Sequence, residues 1–189
     1  MRTAGLLGAA KAIVRETAHI MSFTAESLIL FGATGDLAQR MLLPSLAALH
    51  GEGLLPNELR IVGTARSDLD DAAYRSFARE ALEKHLPADR RDGVDAFLER
   101  LFYQPLDATT LDGYSELASK AERGSKGLAI FLSTAPSLFE PTIAGLTHAG
   151  LTDGNVRIGL EKPLGTDLES SREINDAVAA AFPEERIFR

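Results

Sequence analysis

At 189 residues, 45% hydrophobic and 25% charged, the chain has the composition of one folded domain with a full-sized core, which excludes a disordered or fibrous protein. Its net charge of −7 weighs against nucleic acid or an anionic membrane surface as partner, since either would need a dense basic face. The absence of cysteine excludes a disulfide framework, a thiolate metal site and a cysteine nucleophile, and makes a reducing, cytoplasmic setting the natural expectation.

Residues 1–20, MRTAGLLGAAKAIVRETAHI, have a basic start and an apolar stretch, but Lys11, Arg15 and Glu16 interrupt it before a signal-peptide core is complete. Residues 1–26 are therefore read as an N-terminal extension, poorly ordered or helical, with Met21 an alternative start of translation, and residues 27–189 as one domain. No stretch approaches the ~18 apolar residues of a membrane span.

From Leu28 onward, short apolar runs alternate with longer amphipathic ones. LILFG (28–32), LRIVGTA (59–65), LFYQPLD (101–107), LAIFLSTA (128–135) and NVRIGLEKP (155–163) are rich in Ile, Val, Leu and Phe and too short for typical helices, so they predict buried strands. The intervening GDLAQRMLLPSLAALH, SDLDDAAYRSFAREALEKHL, TLDGYSELASKAE and APSLFEPTIAGLTHAG carry apolar residues at helical spacing, each opening near a capping Ser, Thr or Asp. PADRRDG (87–93) reads as a long surface connection. This alternation predicts an α/β fold: a doubly wound, Rossmann-like parallel sheet with helices on both faces.

Ligands of such sheets settle beyond the carboxyl ends of the strands, which directs attention to the turn after the first one. Gly32 and Gly35 would let the backbone bend sharply and approach a pyrophosphate, with the helix starting near Asp36 aiming its unpaired N–H groups at it. The spacing is G-x-x-G, which also serves simple chain reversal, and no Gly-Lys-Ser/Thr follows, so a P-loop is excluded. The second strand ends GTARSD, and an arginine at that place pairs with a ribose 2′-phosphate, so Arg66 with Ser67 beside it points to NADP rather than NAD. Alternatively Arg66 is a solvated side chain and Ser67 caps the next helix, with Asp70 at its third position. In GLEKPLGTDLESS (159–171), Lys162 at the edge of a parallel strand would project into the ligand crevice, its direction fixed by Pro163 through a cis bond, or Lys-Pro is simply a turn.

Together these segments resemble glucose-6-phosphate dehydrogenases. FGATGDLAQRMLLPSL is similar to the family's G-A-S-G-D-L-A cofactor loop, LLPNELRIVGTARS to its following strand and arginine, LAIFLSTAPSLF to its fourth-strand segment, and EKPLGTDLESS to its E-K-P-x-G signature. The resemblance implies NADP as cofactor, cradled by Gly32, Ala33, Thr34, Gly35, Asp36, Leu37, Ala38 and Gln39, with Arg66 and Ser67 at the 2′-phosphate. By the same resemblance Lys162 reaches both the nicotinamide side and glucose 6-phosphate. Asp36 is expected to cap its helix, since a carboxylate beside the phosphates would repel them. Gln39 and Phe139 depart from relatives that carry Lys and Tyr there.

The family pattern continues into I-D-H-Y-L-G-K-E, which binds glucose 6-phosphate, and into a substrate domain holding the histidine base; both are expected to be absent from this chain. His19, His50, His85 and His148 read as structural, and a chain without the base is expected to bind NADP weakly and to oxidise glucose 6-phosphate poorly. Family dimers associate through the missing domain, so oligomerisation is doubtful. An unrelated reductase would need Tyr-x-x-x-Lys, and neither Tyr74 nor Tyr114 has it; G-x-S-x-G, H-E-x-x-H and EF-hand spacings are also absent, predicting no metal. The competing expectation is a non-catalytic dinucleotide-binding module.

Overall fold

A computed structural model describes residues 25–56, 58–122, 127–162 and 167–189. The expected extension therefore lies outside the described residues up to position 24, as does the Lys162–Pro163 bond. The strands are β1 Ser27–Phe31, β2 Arg60–Ala65, β3 Leu101–Pro105, β4 Leu128–Leu132, β5 Val156–Leu160 and β6 Ile187–Phe188. They form one six-stranded sheet, β3-β2-β1-β4-β5-β6, and every pairing is parallel. Parallel strands need crossover connections, and the order reverses between β1 and β4, which opens a crevice at the carboxyl ends of those strands.

The helices supplying the crossovers are α1 Leu43–Gly51, α2 Asp71–His85, α3 Val94–Leu98, α4 Tyr114–Lys120, α5 Phe139–His148 and α6 Leu168–Ala181. On one face α1, α2 and α3 bury Leu43, Tyr74, Ala78, Leu82 and Phe97 against Leu30, Ile61, Leu101 and Tyr103. On the other, α4, α5 and α6 bury Leu117, Ile143, Leu146, Ile174 and Val178 against Ile29, Val62, Ile130 and Ile158. Close approach here depends on small residues: a Cβ at Gly145 of α5 would lie 2.2 Å from the Tyr114 ring, and one at Gly63 of β2 2.6 Å from Tyr74.

The helix expected from Gly35 to His50 forms, with a local change of pitch. Residues Ala38–Leu42 are π-helical, Leu43 N–H bonding the Ala38 carbonyl, immediately before Pro44. Proline offers no N–H to the carbonyl four residues back and crowds it, so the chain widens by one residue there. Three elements go unread in the sequence. Helix α6 shows only a sparse apolar stripe, although Asp167 and Ser170 form a capping box at its start. Strand β6 is two residues long and pairs only through Ile187 and Phe188. The PADRRDG connection contains a short 3₁₀ turn, Ala88–Arg90, and leads into α3, also unread.

Helix cover is uneven. In β4 and β5 burial alternates, and Ala129, Phe131, Arg157 and Gly159 stay half-buried on the face where α1–α3 lie. With Leu28 and the exposed Phe188 they line a shallow hollow of about 470 Å³. Among the described residues no helix is long and apolar enough to cross a membrane.

Candidate functional site

Strand β1 delivers the chain to Gly32, whose φ of +77° is a left-handed conformation that side chains resist. A Cβ there would also stand 2.8 Å from the Ser133 carbonyl oxygen just past β4, so glycine is required twice over. The turn is fixed by backbone bonds: Gly32 and Ala33 N–H donate to the Thr64 carbonyl at 2.9 and 3.2 Å, and Gly35 N–H donates to the Gly32 carbonyl at 2.9 Å. Those amides hold the loop and are not available to a ligand. The first helical bond runs from Gln39 N–H to the Gly35 carbonyl at 3.1 Å. The amides of Asp36, Leu37 and Ala38 thus have no acceptor among the described residues, leaving a helix N-terminus suited to an anion.

A cleft of about 540 Å³ opens over this turn, within the size range of small-molecule sites. Gly32, Thr34 and Gly35 form one side, Arg66 and Ser67 a second, Asp107 to Thr109 a third, and Thr134 with Ser137 and Leu138 the far wall. Thr34 Oγ1 and Ser67 Oγ lie 3.2 Å apart in a hydrogen bond that ties the first turn to the second. Arg66 is exposed on the rim. The Thr109 amide and hydroxyl, 2.9 and 2.7 Å from Asp107 Oδ1, hold that carboxyl below the usual range, and the charge of Arg66 adds to the effect. Among the described residues, Thr134 Oγ1, buried in the wall, has no hydrogen-bond partner.

Beneath Arg66 stands Tyr103 of β3, fully buried, its ring 4.8 Å from that of Tyr74. Its hydroxyl reaches the carbonyls of Ala65 and Ser67, each at 3.0 Å, and burial pushes its pKa up to about 12, so it remains a donor. The Tyr103 amide donates to Asp71 Oδ1 at 2.7 Å, and the Lys120 ammonium bonds both that carboxylate, at 2.9 Å, and the Tyr103 carbonyl.

Set against the sequence expectations, the structure brings Gly32, Thr34, Gly35, Arg66 and Ser67 together around one cleft. The rest of the loop has other roles. Ala33 and Ala38 are fully buried and pack, Leu37 is half-buried, and Gln39 Nε2 braces the Thr34 carbonyl at 3.3 Å. Asp36, expected as the helix cap, instead pairs with Arg40 one turn on, at 2.8 Å. Ser67 does not cap α2 either: Asp70 does, its Oδ1 accepting from Ala73 N–H at 2.7 Å. Phe139 is fully buried. Lys162 follows β5 with an exposed side chain and lines the shallow hollow rather than the cleft, so among the described residues it is not gathered with the others.

None of the described histidines lines the cleft. His50 ends α1 with its ring 5.9 Å from that of Phe97, and burial, followed by the charge of Arg100, lowers its pKa. Among the described residues no cluster of His, Asp and Glu is arranged to hold a metal ion. Sequence reasoning missed Thr64, whose carbonyl anchors the glycine turn, as well as Tyr103 and Asp107. Asp-x-Thr at 107–109 was a visible turn signal; Tyr103 looked like any strand aromatic.

A doubly wound parallel sheet with a glycine turn, free helix amides and a cleft at the strand-order reversal is the architecture of a dinucleotide-binding domain. Residues 29–189 match the family model described as "Glucose-6-phosphate dehydrogenase, NAD binding domain", and the chain belongs to that family. It is 50% identical over 171 residues to the glucose-6-phosphate 1-dehydrogenase of Zymomonas mobilis, covering 89% of this chain and 35% of that protein. Against the Mycolicibacterium smegmatis enzyme the identity is 41% over 168 residues, covering 85% and 34%. The crystal structure of glucose-6-phosphate 1-dehydrogenase from Mycobacterium avium superposes with a TM-score of 0.76 at 34% identity, over 87% of this chain and 35% of that one. A glucose-6-phosphate dehydrogenase in complex with its substrate glucose-6-phosphate gives a TM-score of 0.76 at 28% identity, over 89% and 37%. The chain thus spans about a third of the length of these relatives.

Proposed function

We propose that this chain supplies the cofactor-binding part of an NADP-dependent glucose-6-phosphate 1-dehydrogenase, a cytoplasmic enzyme of the oxidative pentose phosphate pathway. The reaction removes hydride from C1 of glucose 6-phosphate and yields 6-phosphogluconolactone. The observation carrying the cofactor assignment is that Arg66 and Ser67 line one cleft with Gly32, Thr34 and Gly35, the turn that leads directly into the free amides of residues 36–38. Arg66 on the cleft and the helix N-terminus that follows its glycine turn are two anion-favouring features, the first suited to a 2′-phosphate and the second to a pyrophosphate. Gly32 lets the chain turn tightly against Ser133 at the base of the cleft, and Thr34 with Ser67 links the two sites. When bound, the cofactor supplies the hydride acceptor; the chain's own residues bind and orient it. Lys162 serves the sugar-phosphate side, a role supported by its place after β5 and by the family signature around it.

Arg66→Ala is expected to weaken NADP binding by about 1.5–3 kcal/mol, the range for a hydrogen bond to a charged group, with far less change for NAD. Titration of the purified chain with both cofactors measures this, and equal losses would refute the 2′-phosphate assignment. A second reading, a non-catalytic dinucleotide-binding module, draws on one observation: no histidine among the described residues lines the cleft. An assay for NADPH formation from glucose 6-phosphate, run on the protein expressed from its whole reading frame, separates the two, since a binding module gives none, whereas the 189-residue chain alone is expected to give little on either reading. Loss of a positioned base costs ~10²–10⁴-fold in rate.

A further inference from the structure

The two carbonyls flanking Arg66, those of Ala65 and Ser67, both face the Tyr103 hydroxyl at 3.0 Å. One proton serves both, so the phenol holds the turn on each side of the arginine at once. The post itself is immobile. Its ring is fully buried against Tyr74, and its backbone is clamped from either side, the amide by Asp71 and the carbonyl by Lys120. Arg66, by contrast, lies one residue beyond the end of β2. Between that strand and the Asp70 cap of α2, the turn's other ties are Leu106 N–H to the Ala65 carbonyl, Leu69 N–H to the Ser67 carbonyl, and the Thr34–Ser67 hydroxyl pair. Two of these ties reach outside the turn to a neighbouring loop; the tyrosine alone of the described side chains grips it from the core.

We propose that Tyr103 is a positioning residue for cofactor selectivity: its hydroxyl fixes the Ala65–Ser67 turn so that Arg66 is presented to the cleft in a single orientation. The inference rests on Arg66 reading a 2′-phosphate. An exposed arginine on an unbraced turn would sample many directions, and ordering it would then be charged against binding of the phosphorylated cofactor. NAD, which makes no 2′-phosphate contact, is indifferent to that loss. Asp71 and Lys120 extend the brace, because their ion pair grips the tyrosine backbone and so couples the start of α2 to the end of α4.

The test is a double-mutant cycle on the 189-residue chain, with dissociation constants for 2′,5′-ADP and 5′-AMP as the readout, since these two probes differ only by the 2′-phosphate. Tyr103→Phe keeps the ring and its stack on Tyr74 and removes one oxygen, and thermal unfolding checks that the variant stays cooperatively folded. The preference for 2′,5′-ADP is expected to fall roughly 3- to 10-fold in Tyr103→Phe, the scale of one net hydrogen bond, with 5′-AMP binding unchanged. In an Arg66→Ala background the same change should leave the preference unaltered, because the phenol acts through the arginine. An equal loss of both probes, no change in preference, or the same change with Arg66 absent would overturn the inference while the Arg66 assignment stood. Should Arg66→Ala itself leave the preference intact, the assignment fails and the inference with it.

Discussion

The two halves of the sheet are built from similar sequence and end in different states. Strands β2 and β1, at the centre of one half, are the most fully buried, and the paired turns of the cleft leave their carboxyl ends. Strands β4, β5 and β6 are covered on one face only, and the other holds a shallow hollow lined by Ala129, Phe131, Arg157, Gly159 and Phe188. The two turns proposed to recognise the ligand therefore leave the most fully buried strands, while the segment after β4 closes the far wall. Preorganisation explains why: a turn can place a guanidinium or a row of amides reproducibly only when its anchoring strand cannot shift.

The sharpest way to break this contrast is truncation of one aromatic in each half. Phe31→Ala removes a side chain that is 2% exposed at the end of β1, and should cost about 3–5 kcal/mol in denaturant unfolding. A cost below 1 kcal/mol would mean that the central strand is not packed as described.

How much of this was legible differs along the chain for physical reasons. The five long strands are apolar runs of the right length, and the alternation between them and amphipathic stretches dictated the parallel, doubly wound order. Strand β6 escaped because two residues cannot carry a period. The one-sided cover of β5 was written in Val156-Arg157-Ile158-Gly159-Leu160, where a charge and a glycine alternate with buried residues, yet the run reads as wholly buried when only its mean hydropathy is weighed. At the site, Gly32, Gly35, Arg66 and Ser67 were readable because each has a type-specific reason to be there. Which loop amides remain free was not, because it depends on the Thr64 carbonyl arriving from a neighbouring strand. Asp36 was assigned the cap because its charge would repel the phosphates, and the ion pair with Arg40 is what forms in the structure. Lys162 was placed in the crevice by topology, whereas its exposed side chain borders the hollow of the other half.

A smaller effect probes how the well-held half is braced. Burial alone would raise the Asp71 pKa, but the Tyr103 amide, Lys120 and Arg75 together bring it below the ordinary value. A carboxylate whose folded pKa is lowered contributes stability that is fully present above its unfolded value, ~3.9, and is lost as pH falls through the folded one. Asp71→Asn should cost about 1–2 kcal/mol at neutral pH, discounted for partial exposure. It should also flatten the acid limb of the stability curve below about pH 4. A variant with the unchanged acid slope would show that the Asp71–Lys120 pair carries no folding linkage.

The smallest effect belongs to the other half. Phe188, 52% exposed on β6, should tolerate Ala within about 0.5 kcal/mol in the same unfolding experiment that registers Phe31→Ala. A loss comparable to that of Phe31 would erase the distinction between the halves.

The central claim is that the cofactor binds over the glycine turn and not on the open face. Titrating NADP into the isotopically labelled chain while following backbone amide resonances tests it residue by residue. Shifts are expected at Asp36, Leu37 and Ala38, whose amides lack acceptors, and at Arg66 and Ser67, with Ala129, Gly159 and Phe188 unmoved. Saturable shifts centred on Ala129, Gly159 and Phe188, with residues 36–38 unmoved, would contradict it.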